Sequence, residues 1–546
     1  MIIAVGQIDP VIGDITGNKN KILDLYKKAT ADKADIIIFP ELALVGYPPL
    51  DLVEKQEFRK AAETAANEIA KNTNNNTALL FGSIAEENEN IGTGVYNSAI
   101  FCLGGKICFV QHKTLIPNYD VFDEMRYFES AKDVNIYEFK GEKLGISICE
   151  DIWNDADFWK KRLYTNDPVK RLVDKGATLL INISASPYSF GKRMEKLKML
   201  STLTSQDKLP LVYACCVGAQ TDLIFDGASM CFNSQGELKM LGKAFEEDYF
   251  LFDTKQNYKT VTAIERSFEE EVLNALIFGL KDYCKKLNFK KALLGLSGGI
   301  DSAIVTYIAV KALGKENVHV VMMPSKYSSE GSIKDSEKLI ENLGITSETI
   351  SIQPVVNSAL QMLHGSFNGL PEDITEENIQ SRVRGLYMMA LSNKLKRLLL
   401  TTGNKSEMAV GYATLYGDMC GGLAIIADVY KSDIYKISEF INRDEEIIPD
   451  EIIRKAPSAE LRPDQTDQDS LPPYDLLDRI LKMYLEENKE AEEISTIIND
   501  AETVKKVLRL VDINEFKRKQ AAPALRVSRK AFGYGRRYPI VQGWRK

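Results

Sequence analysis

The run Leu293-Leu-Gly-Leu-Ser-Gly-Gly-Ile-Asp-Ser302 decides how the second half of this 546-residue chain is read. Ala292 to Leu296 is an apolar, strand-like stretch, and Ser302 to Leu313 spaces its apolar residues as a helix does. The Ser-Gly-Gly turn between them therefore sits at a helix N-terminus, where unpaired N–H groups and the helix dipole favour phosphate. Gly298 and Gly299 lack a Cβ and let oxygens approach the backbone, while Ser297 and Ser302 add hydroxyl donors. Asp301 runs against this pattern: a carboxylate beside phosphate repels it unless a divalent cation stands between them, so Asp301 reads as a Mg²⁺ ligand. The Gly-Lys-Ser/Thr ending of a Walker A loop is absent.

Working outward, a helix begins at Phe268, and the cradle is followed by a strand at Val318 to Met323, a helix at Ile333 to Leu343 and a strand at Thr349 to Ile352. Successive strand–helix–strand units predict a doubly wound parallel sheet. Upstream, short β-rich runs alternate with helical ones: Ile2 to Gln7, Asp35 to Pro40, Ala78 to Ile84, Tyr96 to Leu103, Lys106 to Gln111, Leu144 to Cys149, Ala177 to Ile183 and Leu211 to Cys216. They predict an α/β sandwich, with a hairpin turn at Gly104-Gly105. The polar stretch Thr254 to Lys259 marks the boundary, giving domains 1–255 and 271–546 joined by a linker at 256–270. Residues about 456–473, rich in Pro, Asp, Gln and Ser, read as a mobile loop inside the second domain.

Sixty-nine Lys and Arg against 77 Asp and Glu leave a net charge of −8, which gives no general reason to expect nucleic-acid binding. The eight cysteines, at 102, 108, 149, 215, 216, 231, 284 and 420, have no C-x-x-C spacing, so neither a zinc site nor a disulfide framework is indicated and a reducing cytoplasm is expected. Met1-Ile-Ile-Ala-Val-Gly reads as a strand without a basic n-region, and no apolar run approaches the ~18 residues of a membrane span, so neither export nor anchoring is expected.

Three residues in the first half supply the chemistry of amide hydrolysis: Glu41 in Phe-Pro-Glu-Leu, Lys113 in Gln-His-Lys-Thr and Cys149 in Ile-Ser-Ile-Cys-Glu-Asp-Ile-Trp. A carboxylate can take the thiol proton, and an ammonium can stabilise the tetrahedral oxyanion. His112 is set aside, because on a strand its side chain points away from that of Lys113. The three motifs, in this order, resemble those of the glutamine-hydrolysing members of the nitrilase (carbon–nitrogen hydrolase) superfamily. That resemblance implies an αββα sandwich with Glu41 as general base, Lys113 as oxyanion stabiliser and Cys149 as nucleophile. It further implies Glu124 as an acidic residue orienting the lysine, with Tyr119, Ser186 and Lys192 holding glutamine.

In the second half, the SGGxDS loop resembles that of ATP pyrophosphatases. Adding Glu377-Asn-Ile-Gln-Ser-Arg-Val-Arg384, Leu400-Thr-Thr-Gly-Asn-Lys-Ser-Glu407, Tyr416-Gly-Asp-Met-Cys-Gly-Gly422 and Ala427-Asp-Val-Tyr-Lys431, it is similar to NAD synthetase. The fused chain resembles the glutamine-dependent NAD⁺ synthetase family over essentially its whole length. The resemblance implies ATP contacts from Gly295 to Ser302, Thr402 and Lys431. It assigns deamido-NAD⁺ to Asn378, Glu407 and Lys517, with Arg382 and Arg384 nearby and Lys519 as the substitute for Lys517. Mg²⁺ falls to Asp301 and Glu407, with Asp418 as a third candidate. On a helix, Asn378 and Arg382 share a face and Arg384 diverges from it. Residues 517 to 546 carry ten Lys or Arg and no Asp or Glu, a pattern open to three readings: a clamp on the dinucleotide and ATP, a subunit interface, or a nucleic-acid tail.

The resulting expectation is a ligase of NAD biosynthesis. It adenylates deamido-NAD⁺, releases pyrophosphate, and displaces AMP with ammonia drawn from glutamine through a shielded passage in a homo-oligomer. Two alternatives stand beside it: a glutamine-dependent amidotransferase of the same chemistry on another acceptor, such as a purine nucleotide or an amino acid, and a nucleic-acid-binding protein whose hydrolase half is a scaffold.

Overall fold

The computed structural model describes residues 1–87, 92–154, 158 and 161–544, and forms two compact units, Met1–Glu265 and Arg266–Lys546. Arg545 and Lys546 of the basic C-terminal segment lie outside the described residues.

The first unit holds two six-stranded sheets. One runs in the order Asp248–Asp253, Ile2–Gln7, Ile36–Ile38, Ala78–Glu86, Val95–Leu103, Lys106–His112, and the other Leu238–Leu241, Met230–Phe232, Leu211–Cys215, Leu179–Ser184, Glu142–Ile148, Ile136–Phe139. Strand periodicity explains the layers. Ile3, Val5, Ile36, Ile38, Leu80 and Phe101 pack against Leu144, Ile146, Ile148, Ile181 and Val212 of the facing sheet. The alternate residues Ala4, Ile37, Leu79 and Phe81 face the other way, onto Ile22, Tyr26, Ala62 and Ile69 of helices Ile15–Ala31 and Gln56–Lys71. Leu180, Leu211 and Tyr213 meet Leu172, Met199 and Leu203 of helices Pro168–Asp174 and Lys192–Asp207. Strands buried on both faces lose polar alternation, which is why Ile36-Ile37-Ile38 is apolar throughout. The result is an αββα sandwich. Gly104 and Gly105, both at positive φ, make the turn between Val95–Leu103 and Lys106–His112.

The second unit is built on a five-stranded, all-parallel sheet ordered Thr346–Thr349, Val318–Met322, Ala292–Gly295, Leu398–Thr401, Leu423–Ala424. In chain order this is 3-2-1-4-5, so the strand order reverses between Ala292–Gly295 and Leu398–Thr401. Helix Ile374–Leu395 covers the face bearing Leu293, Val321 and Leu399 through Met388 and Leu391. Helix Ile300–Leu313 is buried nearly all round, packed on the sheet with Phe268–Lys286 and Lys431–Ile441 against it. A doubly wound sheet binds ligands outside its strand ends at the switch point, where the phosphate cradle lies.

Four expectations need correction. The third strand of this sheet is Thr346–Thr349, not Thr349–Ile352: it is a polar edge strand, and Ile350 and Ile352 lie beyond it, donating N–H groups to Met322 and Pro324. Leu296 lies one residue past its strand, and Cys149 begins a 3₁₀ turn instead of ending the strand Glu142–Ile148. The short strands Met230–Phe232, Leu238–Leu241 and Asp248–Asp253 and the hairpin Val217–Gln220/Leu223–Asp226 went unpredicted. The first unit also runs past residue 255: Val261 N–H donates to Leu238 O at 2.8 Å, and Val261 and Ala263 pack into its core. Among the described residues no helix is long and apolar enough to cross a membrane.

Candidate active sites

In the first unit, strand ends converge. Glu41 follows Ile36–Ile38, Lys113 follows Lys106–His112, and Cys149 follows Glu142–Ile148. Gly82 allows the Glu41 segment to lie against its neighbour strand, since a Cβ there would stand 2.2 Å from the Leu42 nitrogen. Lys113, fully buried, donates to Glu41 Oε1 at 2.8 Å and to both oxygens of Glu124 at 2.9 and 2.8 Å. Asn97 Nδ2 also donates to Glu41 Oε1 (2.7 Å), the Ala185 N–H to Glu41 Oε2 (2.8 Å), and the Tyr47 hydroxyl to Glu124 Oε1 (2.8 Å).

Burial opposes the charge on Lys113, but Glu124 and Glu41 hold its proton well above the ordinary lysine range. Burial pushes Glu124 up to about 7, with Lys113 pulling down and Glu41 pushing further up. The Cys149 thiol is raised by burial and by Glu41, with Lys113 working the other way. The thiol is therefore neutral at rest and must hand its proton to a base as it attacks. Cys149 adopts φ +45°, a strained conformation for a residue with a side chain.

Of the residues expected to hold glutamine, Tyr119 donates its hydroxyl to Glu150 Oε1 at 2.8 Å, and Lys192 Nζ donates to Pro187 O at 3.2 Å and lies over the Trp153 ring. Ser186 is buried just past strand Leu179–Ser184. His112 bonds Ser98 Oγ (2.7 Å) and Glu87 (2.9 Å) and stacks on Tyr96, apart from the Lys113 network. Sequence reasoning missed Asn97, Tyr47, Glu150 and Asp151. Glu150 and Asp151 directly follow Cys149, and two consecutive buried carboxylates in an apolar run were a usable signal.

In the second unit a cleft of about 330 Å³ is lined by Gly295 to Ser302, Thr402, Glu407, Asp418 and Lys431, all expected, and by Arg384 and residues of the 456–461 segment. Gly298 has φ +76°, and a Cβ on it would meet Ser332 O at 2.4 Å, so only glycine fits. The Ser302 hydroxyl accepts from Ser297 N–H (3.2 Å), lies 3.1 Å from Ser297 Oγ, and donates to Gly299 O (3.0 Å), closing the loop on itself. Lys431 is paired with Asp301 and reaches Glu407 Oε1 at 3.4 Å, while Asn404 Nδ2 donates to Asp301 Oδ1 at 3.0 Å. Burial and the neighbouring Asp301 raise Glu407 to about 8, against the pull of Lys431. Two carboxylates opening on a phosphate-shaped loop form a donor set that suits Mg²⁺, which takes one or two carboxylates plus substrate phosphates.

Asn378 and Lys517 do not line this cleft. The Thr414 hydroxyl donates to Asn378 Oδ1 at 2.9 Å, and Lys517 Nζ donates to Gly411 O and Ala413 O at 2.7 and 2.8 Å. Arg382 reaches Leu415 O on the same 411–418 loop, beside Asp418, whose carboxylate accepts from Thr414 N–H at 2.9 Å. Arg384 diverges into the cleft, donating to Met323 O at 3.1 Å, and burial lowers its guanidinium to about 10. Much of the basic C-terminal segment serves the unit itself: Arg518 and Arg536 pair with Glu515 at 2.8 and 2.9 Å, and Lys519 approaches it at 3.9 Å.

Comparison with known proteins agrees with both halves. Residues 2–260 match the carbon-nitrogen hydrolase family model, and residues 272–521 match NAD synthase. A glutamine-dependent NAD(+) synthetase of Synechocystis sp. is 44% identical over 550 residues, covering 99% of each chain, and one of Thermotoga maritima is 42% identical over 584 residues, covering 100% of this chain and 99% of its own. Among solved structures, the glutamine-dependent NAD+ synthetase of Acinetobacter baumannii in complex with ADP superposes with a TM-score of 0.78 at 38% identity, covering 100% of this chain and 99% of its own. With two family models in tandem and relatives at this identity over full length, this chain belongs to the glutamine-dependent NAD(+) synthetases.

Proposed function

We propose that Glu41, Lys113 and Cys149 release ammonia from glutamine and that the cleft at Ser297–Ser302 carries out the ATP-dependent amidation of deamido-NAD⁺ that consumes it. The observation that carries the first half is the buried Glu41–Lys113–Glu124 network beside the strained Cys149 turn. Glu41 takes the Cys149 proton as Sγ attacks the glutamine amide carbon, and Lys113 stabilises the oxyanion. Glu41 returns the proton to the leaving nitrogen as the C–N bond breaks, then activates the water that frees glutamate from the thioester. Glu124 and Tyr47 keep Lys113 aimed. Tyr119, Ser186 and Lys192 hold the glutamine.

In the second unit the nicotinate carboxylate attacks the ATP α-phosphorus and pyrophosphate leaves. Ammonia then attacks the activated carbonyl carbon, the C–O bond breaks to release AMP, and the nitrogen gives up one proton to leave the amide. The loop's N–H and hydroxyl groups hold the phosphates, Lys431 offsets their charge, and Thr402 borders the nucleotide. Asp301 and Glu407 would hold Mg²⁺, which supplies charge neutralisation when bound. Asn378, Glu407 and Lys517 belong to the deamido-NAD⁺ side through the 411–418 loop. The reading includes a mobile 456–473 loop, a cytoplasmic setting and a homo-oligomer, for which a sedimentation mass above 61.2 kDa is expected.

The division of labour is tested with Cys149→Ala. Synthesis of NAD⁺ from glutamine disappears, while synthesis from ammonium salts persists at the wild-type rate. Loss of both in a folded variant would refute the assignment.

A further inference from the structure

We propose that Asp151 is a positioning residue for amide hydrolysis: one carboxylate ties the backbone that carries Cys149 to the backbone that carries Lys113. The proposal rests on the roles assigned above to those two residues and adds what sets the distance between them. Asp151 is 2% exposed. Its Oδ1 accepts N–H groups from Thr114 at 3.0 Å and Leu115 at 2.7 Å, the two residues after the lysine. Its Oδ2 accepts the N–H of Ile148 at 3.0 Å, the residue before the cysteine.

These contacts address a specific mechanical problem. Lys113 and Cys149 leave strands of different sheets, so neither sheet's own hydrogen-bond ladder fixes one against the other. Cys149 also sits at φ +45°, and a strained residue stays put only where its surroundings over-determine it. The bond from Ile148 N–H closes a tight turn across Cys149, and the two bonds from Thr114 and Leu115 reach the other sheet's loop. Asp151 donates nothing and faces backbone N–H groups, so it acts through Cys149 and Lys113 and not on the substrate. Only an ionised carboxylate offers two acceptor oxygens here, because the NH₂ of an asparagine would face an N–H. Burial pushes the Asp151 carboxyl up to about 7, while the N–H donors and Lys113 favour its charged form.

The test compares Asp151→Asn, which keeps size but loses one accepting arm, with Asp151→Ala, which loses both. Steady-state kinetics on the full-length enzyme should show the glutamine-driven kcat falling about a hundredfold in the Asn variant, the scale of a misplacement of roughly 1 Å, and further in the Ala variant. The KM for glutamine should stay within about threefold, because the groups that hold glutamine are untouched, and ammonium-driven synthesis should be unchanged. A collapsed first unit would instead lose saturable dependence on glutamine, which would overturn the proposal, as would an Asn variant with kcat within threefold of wild type. Cys149→Ala run alongside separates the two levels: if it retains glutamine-driven synthesis, the assignment of the nucleophile fails; if it is inactive and Asp151→Asn is fully active, only the role of Asp151 fails.

Discussion

Both units place a buried lysine between two carboxylates, and they use the arrangement differently. Lys113 lies between Glu41 and Glu124, whose side chains are 0% and 7% exposed and whose further oxygen contacts are filled by Asn97, Ala185 N–H and Tyr47. Lys431 lies between Asp301 and Glu407, 17% and 16% exposed, on the wall of an open cleft. The first network is complete before substrate arrives, as suits attack on a small neutral amide whose only new charge is an oxyanion. In the second, Lys431 pairs with Asp301 and a largely protonated Glu407 stands beside them until phosphate brings its own charge. Fixed geometry and exchangeable charge thus grow from the same three-residue pattern, and burial of the carboxylates decides which one results.

The largest expected effect comes from removing the fixed lysine. Lys113→Met leaves two buried carboxylates without their cation, and breaking a buried pair from one side costs about 3–5 kcal/mol. Chemical denaturation should show the first unit weakened by that order. Glutamine hydrolysis should fall by about 10²–10³-fold, as when an oxyanion donor is lost. If Lys113→Met were as stable as wild type, the first network would be as exchangeable as the second and the contrast would dissolve.

A smaller effect is expected at the part of the cleft that does not exchange. Gly298→Ala forces a Cβ against Ser332 O and a side chain into positive φ, a strain above the ~0.4–1 kcal/mol that such changes otherwise yield. The KM for ATP should rise about tenfold, since every ~1.4 kcal/mol is a factor of ten. Glutamine hydrolysis assayed without ATP should not change. An unchanged KM would mean that the loop's resting shape is not its binding shape.

The sequence disclosed what local pattern controls. The strand–turn–helix around Ser297–Ser302 and the doubly buried strands of both units follow from apolar periodicity, and the Glu41, Lys113 and Cys149 motifs carry their own chemistry. It hid whatever depends on who stands opposite whom. Asn97 and Tyr47 lie 56 residues from Glu41 and 77 from Glu124, and no spacing rule joins them. Thr346–Thr349 is polar because it is paired on one side only, so the apolar β-branched residues that mark a strand fall just beyond it, at Ile350 and Ile352. Asn378 and Lys517 were placed by resemblance, and their hydrogen bonds to the 411–418 loop became visible only with the fold.

The smallest effect probes the exchangeable network through pH. Folding lifts Glu407 from the ordinary carboxylate range to about 8, chiefly through burial and then through Asp301, so the folded protein keeps a proton that the unfolded chain releases near pH 4.5. A raised carboxyl contributes stability that is fully present below the unfolded value and drains away as pH rises through the folded one. Glu407→Gln removes that titration. Melting curves of the two proteins, free of nucleotide and divalent cation, should therefore diverge between pH 5 and 9, with wild type losing ground to the variant by about 2–4 °C for each kcal/mol involved. Glu124, raised to about 7 but held by Lys113 on both oxygens, should show a shallower version of the same drift in the first unit. Parallel curves for Glu407→Gln and wild type would mean that Lys431 already keeps Glu407 ionised, and that the cleft is as settled without its ligands as the glutaminase site is.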